Sequence, residues 1–300
     1  MTWAQAALVS AAIMAIVSII DSHLTSKRFP SLRAYLLPLG LIHLTYGLVG
    51  SRLVPLPQDA DTAVVGMAIL SSCIRVGAIF IFLHSLRYRE VSTVVPIVYT
   101  SPMFVGLMAV FFLREDLSLL QWTAIAIVVS GAVLIAAVKG PSRGDIRRPG
   151  LALLLLASLL FAISDVTARQ ALSQLSFWHL FWMGAMAMGF AFVVGSLSRS
   201  VLVQIRDMED RAKSLGLMFL NEVLSPIGIV VSFWALAHGP VSLVSTLVSS
   251  RPLFVLLFAL ILSRGAPGFL VWEGGKRQLV VKLVATGMIM GGVAIIEMSA

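Results

Sequence analysis

Ten long apolar runs, separated by short stretches carrying charge, Gly or Pro, constrain this chain more than any other feature. They cover residues 3–21, 34–53, 63–86, 91–113, 119–138, 150–172, 177–197, 214–238, 241–263 and 278–296. Each is close to the roughly 20 residues that cross a bilayer as an α-helix. The runs are continuous, whereas barrel strands alternate over about ten residues, so the expected fold class is an all-α membrane protein with ten transmembrane helices. A helix satisfies its own backbone polar groups, as the hydrocarbon core demands. The 300 residues leave almost nothing for a soluble domain. Composition agrees: 59% of residues are hydrophobic and 12% charged, against about half and about 25% in an ordinary soluble chain.

The formal charge of +8 suggests nucleic acid in a soluble protein. Here the basic residues sit in loops between apolar runs and set orientation instead, so no nucleic-acid partner is expected; the bilayer is the expected surrounding. One set of loops holds Lys27, Arg28, Arg33, Arg87, Arg89, Lys139, Arg143, Arg147, Arg148, Arg199, Arg206, Arg211, Lys213, Arg264, Lys276 and Arg277, and the other only Arg52, Arg114 and Arg169. Positive charge favours the cytoplasm, which places both termini outside and lets Lys282 snorkel to the basic side. Residues 198–214 carry Val201, Leu202, Ile205 and Met208 at helical spacing among basic residues, as in a helix lying on a membrane surface; a solvated loop fits equally. The single cysteine, Cys73, permits no internal disulfide and reads as a packed thiol. Residues 1–5 lack the basic region of a cleaved signal, so the first run reads as a retained helix.

Slid against itself by 150 residues, the chain aligns 91–114 with 241–264 and matches at ten of 24 positions, among them Pro102 with Pro252, Phe104 with Phe254 and Arg114 with Arg264. A weaker echo pairs Asp21 with Asp165. Two five-helix halves, 1–140 and 141–300, follow. An odd number of helices inverts the second copy in the membrane, and inverted repeats recur in secondary transporters with the site between them. The pattern resembles the EamA-type permeases of the drug/metabolite transporter superfamily. The resemblance rests on Ser101-Pro102-Met103-Phe104 running to Leu113-Arg114-Glu115, on Gly131, and on their counterparts Arg251-Pro252-Leu253-Phe254 and residues 287–292. Gly265 replaces Glu115 in the second copy, and Arg251 replaces Ser101. The resemblance implies two inverted five-helix repeats in a multi-pass protein of the cell (inner) membrane, a small-molecule substrate and cytoplasmic termini, the last opposite to the charge count.

Charges at bilayer depth are costly and usually face the bundle interior. Arg75, Asp165, Glu222 and Arg251 lie within the runs, and the equivalence of the third and eighth helices suggests that Arg75 and Glu222 meet, either lining a cavity or as a pair holding the halves together. Asp21, late in the first helix, has either a cavity role or a loop partner in Lys27 or Arg28. Two arginines offer bidentate sites for carboxylate or phosphate, while Glu222 and Asp165 could receive an ammonium group. Burial penalises a charged carboxylate unless a cation compensates, which makes Glu222 a coupling-proton candidate as long as it is not tied to Arg75. Pro96, Pro102, Pro226 and Pro252 interrupt the fourth, eighth and ninth helices and expose carbonyls; Tyr99, Ser101, Asn221, Ser225 and Ser249 beside them could bind substrate or simply bond to the backbone. Trp182 and Trp234 line the cavity or pack. His43 reads as a satisfied core histidine. Gly287 and Gly291 have the spacing for close helix approach and for a homodimer.

Gly140-Pro141-Ser142-Arg143-Gly144 matches a nucleophile elbow only by letter, since that motif needs a strand-to-helix turn. Neither a metalloprotease motif nor a phosphate loop occurs. The expectation is a secondary transporter without enzyme activity, cofactor or metal. It moves a small polar metabolite, an organic anion or a zwitterion such as an amino acid, by alternating access, with export and proton coupling left open. A membrane scaffold or accessory subunit is the alternative, and a membrane-embedded enzyme the remoter one.

Overall fold

A computed structural model describes residues 2–89, 91–137, 148–265 and 276–299, all helix and short connections with no strand among them. The helices are α1 (Trp3–His23), α2 (Leu32–Leu53), α3 (Thr62–Tyr88), α4 (Val91–Val98), α5 (Ser101–Met108), α6 (Leu119–Ala137), α7 (Arg148–Ala171), α8 (Phe177–Ser196), α9 (Arg199–Arg206), α10 (Arg211–His238), α11 (Val241–Val248), α12 (Arg251–Gly265) and α13 (Lys276–Ser299). π-helical turns continue α1 through Arg28 and α5 through Leu113. Among the described residues seven helical stretches are long and apolar enough to cross a membrane, and three shorter apolar helices accompany them. The basic loop 138–147, with Lys139, Arg143, Arg147, the elbow-like Gly140–Gly144 motif and the junction between the halves, lies outside the described residues, as does the Lys282 side chain.

The fourth and ninth runs are each two helices. The breaks fall at Tyr99 and Thr100, and at Ser249 and Ser250, each one residue before the Ser101-Pro102 or Arg251-Pro252 pair. Pro fits the first turn of a helix because its missing N–H has no partner there; Ser101 and Arg251, the residues before the two prolines, are already helical, so each break falls one step further back. Of the four prolines expected to interrupt helices, Pro226 does not: α10 runs through it from Arg211 to His238. α4 runs through position 96 as well, and the Pro96 side chain lies outside the described residues.

Helix contacts cross between the halves. The most extensive are α2 with α8, α6 with α13, α3 with α7 and α1 with α10. Glycines set the closest of these. At Gly47 a Cβ would fall 2.8 Å from the Met186 backbone nitrogen, and at Gly189 one would fall 2.6 Å from that of Leu44. A Cβ on Gly287 or Gly291, expected to bring the last helix against a neighbour, would meet nothing within 4 Å among the described residues; Gly131, against Ala285 and Ile289, and Gly292, against Val128, make that approach instead. The reason is register, since only one face of α13 turns toward α6. Cys73 is exposed, not packed, for the same reason on α3. Within residues 198–214, α9 is a short helix, capped by the Ser198 side chain and anchored by buried Val201, and 211–214 already begin α10.

On the basic side, Arg87 donates to the carbonyls of Thr25, Phe29 and Pro30, fixing the turn between α1 and α2. Arg28 pairs with Asp210 at 2.9 Å. Lys213, and then Arg28, hold the exposed Asp210 carboxyl below the usual carboxylate range.

At the opposite rim, Glu115 reaches the start of α11 and accepts from the backbone N–H of Val241 at 2.6 Å and of Ser242 at 3.3 Å, and from the Ser242 hydroxyl. A carboxylate there satisfies otherwise orphaned N–H groups and meets the positive end of the helix dipole. Glu115→Ala is therefore expected to destabilise by about 1–2 kcal/mol, read as a lower Tm in detergent; an unchanged Tm would show that water replaces the carboxylate without loss.

A central charged cavity

Six helices bring charged or ionisable groups to a cavity of about 160 Å³, near the ~150 Å³ that accommodates a benzene-sized molecule. Asp21 from α1, His43 from α2, Arg75 from α3, Asp165 from α7, Glu222 from α10 and Arg251 from the start of α12 all face it, with Tyr99, Ser101, Ser225 and Ser249 from the helix breaks and from α10. Much of the remaining wall is apolar, including Phe82, Phe161, Phe181 and Phe233.

The charge partners differ from the expected ones. Arg75 does not meet Glu222: its Nη2 donates to Asp165 Oδ1, and the two side chains keep 25% and 18% exposure toward the cavity. The Arg75 guanidinium also lies over the rings of Phe161 and Phe233, at 5.9 and 5.4 Å. Glu222 instead stands beside His43, with Oε2 at 3.1 Å from Nε2, both side chains almost wholly buried. That contact is within ion-pair range but lacks hydrogen-bond alignment, so Oε2 has no hydrogen-bond partner among the described residues. The cause of the mismatch is helix pairing: α3 runs along α7, and α10 along α1. His43, expected as a satisfied core histidine, is a cavity group; a lone histidine in an apolar helix carried no signal of this.

Asp21 belongs to the cavity, not to the basic loop, because Arg28 is engaged by Asp210. Its Oδ1 accepts from the Tyr35 hydroxyl at 2.6 Å and from Asn221 Nδ2 at 2.7 Å. Asn221 sits behind Asp21 as a positioning donor and does not itself line the cavity. The two carboxylates occupy related places. Asp165 on α7 is held by Arg75 on α3, and Asp21 on α1 is held by Asn221 on α10. Where one carboxylate has a guanidinium as its direct partner, the other has an amide and a hydroxyl.

Arg251 is 6% exposed, lies over the Tyr99 ring at 4.3 Å, and has no carboxylate within ion-pair distance among the described residues. Its Nε, the Ser249 hydroxyl, Arg75 Nε and His43 Nδ1 are buried polar atoms without hydrogen-bond partners there. Such atoms are costly to leave unpaired. Trp182 and Trp234 do not line the cavity: Trp182 donates to the Val54 carbonyl and Trp234 stacks on His238. Among the described residues, no group of three or more His, Cys, Asp or Glu side chains is arranged to hold a metal.

A bundle of apolar helices around a charged cavity defines a polytopic membrane protein with an internal polar site. The EamA-like transporter family matches residues 1–137 and again 148–297. The chain therefore belongs to the EamA-like transporter family, whose members are integral membrane transporters, not enzymes. No curated protein matches it. A solved structure described only as the crystal structure of a protein superposes with a TM-score of 0.64 at 17% identity, over 97% of this chain and 99% of that one. That likeness shows the fold alone.

Proposed function

We propose that this chain is a secondary transporter carrying a small zwitterion or organic anion by alternating access, with the substrate held in the central cavity. The observation that carries this reading is that Asp21 and Arg251 face one cavity, neither with an ion-pair partner among the described residues. Arg251 offers a planar donor fork to a carboxylate or phosphate. Both bonds to Asp21 fall on Oδ1, which leaves Oδ2 for an ammonium group. An amino acid satisfies both groups at once and suits a cavity of this size.

The two five-helix halves, 1–140 and 141–300, supply ten spans and rock about the cavity in this reading. The breaks before Pro102 and Pro252 act as hinges, because the chain there already lacks continuous helix hydrogen bonding.

The test is thermal stabilisation of the purified protein by amino acids, organic anions, phosphorylated metabolites and cationic drugs. A zwitterion or anion is expected to raise the Tm of the wild type and to leave a folded Arg251→Ala variant unmoved. Stabilisation by cationic drugs alone would overturn the substrate class. Equal stabilisation of wild type and Arg251→Ala would remove Arg251 from the site.

A further inference from the structure

A second hollow, of about 380 Å³, opens between α2 and α8 on the side away from the basic loops. Its walls are apolar and aromatic, among them Val49, Leu53, Trp178, Phe181 and Trp182, with the Thr45 side chain at its edge. Gly50 lets Trp182 sit close against α2 here, because a Cβ there would fall 2.6 Å from the Trp182 Cβ. The Trp182 ring is fixed by its bond to the Val54 carbonyl, at 3.1 Å.

Three observations identify the occupant. The apolar side chains around the mouth of the groove, Leu48, Val49 and Leu53, are 56%, 56% and 75% exposed, and in a membrane protein such surface faces acyl chains. Trp178, 45% exposed, is the residue type that gathers where hydrocarbon meets headgroup. In the same turn of α2 stands exposed Arg52, one of the few basic residues on this side, with no carboxylate within ion-pair distance among the described residues. Arg pairs with phosphate through two parallel donors.

We propose that this groove is a phospholipid site, with an acyl chain between α2 and α8 and the headgroup phosphate at Arg52. The site bears on the central cavity through a shared wall. Phe181 borders both hollows. Tyr46, 6.4 Å from Phe181 between ring centroids, donates its hydroxyl to the Glu222 carbonyl at 2.6 Å. A seated chain presses on the ring that separates lipid from the charged cavity.

Trp182 is the reporter. The full chain carrying Trp178→Phe is reconstituted in vesicles of a phosphate-free glycolipid with increasing fractions of dibrominated phosphatidylcholine, and a Trp178→Phe/Trp182→Phe variant gives the background from the other tryptophans. Trp182 fluorescence is expected to be quenched at low fractions of brominated lipid. Thr45→Phe, which fills the groove from an exposed position, should at least halve that quenching, and Val49→Phe repeats the test from the other side should the first variant misfold. Arg52→Gln should shift the quenching curve to about fivefold higher brominated lipid. Quenching untouched by both filling substitutions would overturn the acyl-chain site. Quenching insensitive to Arg52→Gln would overturn the phosphate contact. A filling substitution that changes the oligomer size measured by light scattering would give the groove to a second copy of the chain instead.

Discussion

Arg75→Ala is expected to be among the most destabilising single substitutions in the cavity. It strips Asp165 of its guanidinium and leaves a carboxylate in a wall that also carries Phe161 and Phe233. Breaking a fully buried pair by removing one partner costs about 3–5 kcal/mol. Here the pair faces a cavity and keeps some exposure, so we expect about 2–3 kcal/mol, or roughly 5 °C in Tm. The same argument predicts recovery: in Arg75→Gln/Asp165→Asn no charge is left unpaired, and most of the lost stability should return. The measurement is a double-mutant cycle by thermal unfolding in one detergent. A double variant as unstable as the two single losses added together would mean that Arg75 and Asp165 act independently, and the pairing would lose its energetic meaning.

That pair also shows how far sequence reasoning reaches. The long helices were legible because a bilayer sets their length, and 20 apolar residues leave little choice. The breaks in the fourth and ninth runs were legible from Pro102 and Pro252, although proline alone misled at Pro226, which α10 absorbs without interruption. The partners of the charges were not legible. Helix equivalence suggested Arg75 with Glu222, but equivalent helices in an inverted repeat need not be neighbours. Here α3 lies along α7 and α10 along α1. The useful signal was the echo of Asp21 at Asp165, 144 residues on. A nearly equal step of 146 residues carries Arg75 to Asn221, and together the two steps reproduce the observed contacts. The role of His43 needed the fold, because nothing in the sequence places it opposite Glu222. The silent faces of Gly287 and Gly291 needed it too, since spacing identifies a stripe of small residues without saying which way it turns.

Glu222→Gln is expected to abolish flux driven by a pH gradient, by at least tenfold, while leaving substrate counterflow measurable. Among the described residues the cavity holds three carboxylates, Asp21, Asp165 and Glu222, against two guanidiniums, Arg75 and Arg251. With His43 neutral it lacks one positive charge. Glu222 is not held by Arg75, which is committed to Asp165, and its own neighbour is a histidine, the side-chain type suited to taking up and releasing a proton. Asn221 and Glu222 are adjacent on α10, so the group that holds Asp21 and the group that faces His43 move together. The zwitterion proposed above brings no net charge, so in the proposed mechanism the missing positive charge is a proton, taken up and released at Glu222 as the cavity opens to one side and then the other. The amide in Glu222→Gln keeps the shape of the side chain but removes one carboxylate, so the cavity balances without the proton. The measurement is uptake into proteoliposomes under an imposed pH gradient, compared with exchange at equal pH, using a substrate found by thermal stabilisation. Loss of both fluxes in a variant of normal Tm would make Glu222 a substrate ligand and not the coupling group. Retention of pH-driven flux would move the coupling to Asp21, where Asp21→Asn should then remove it.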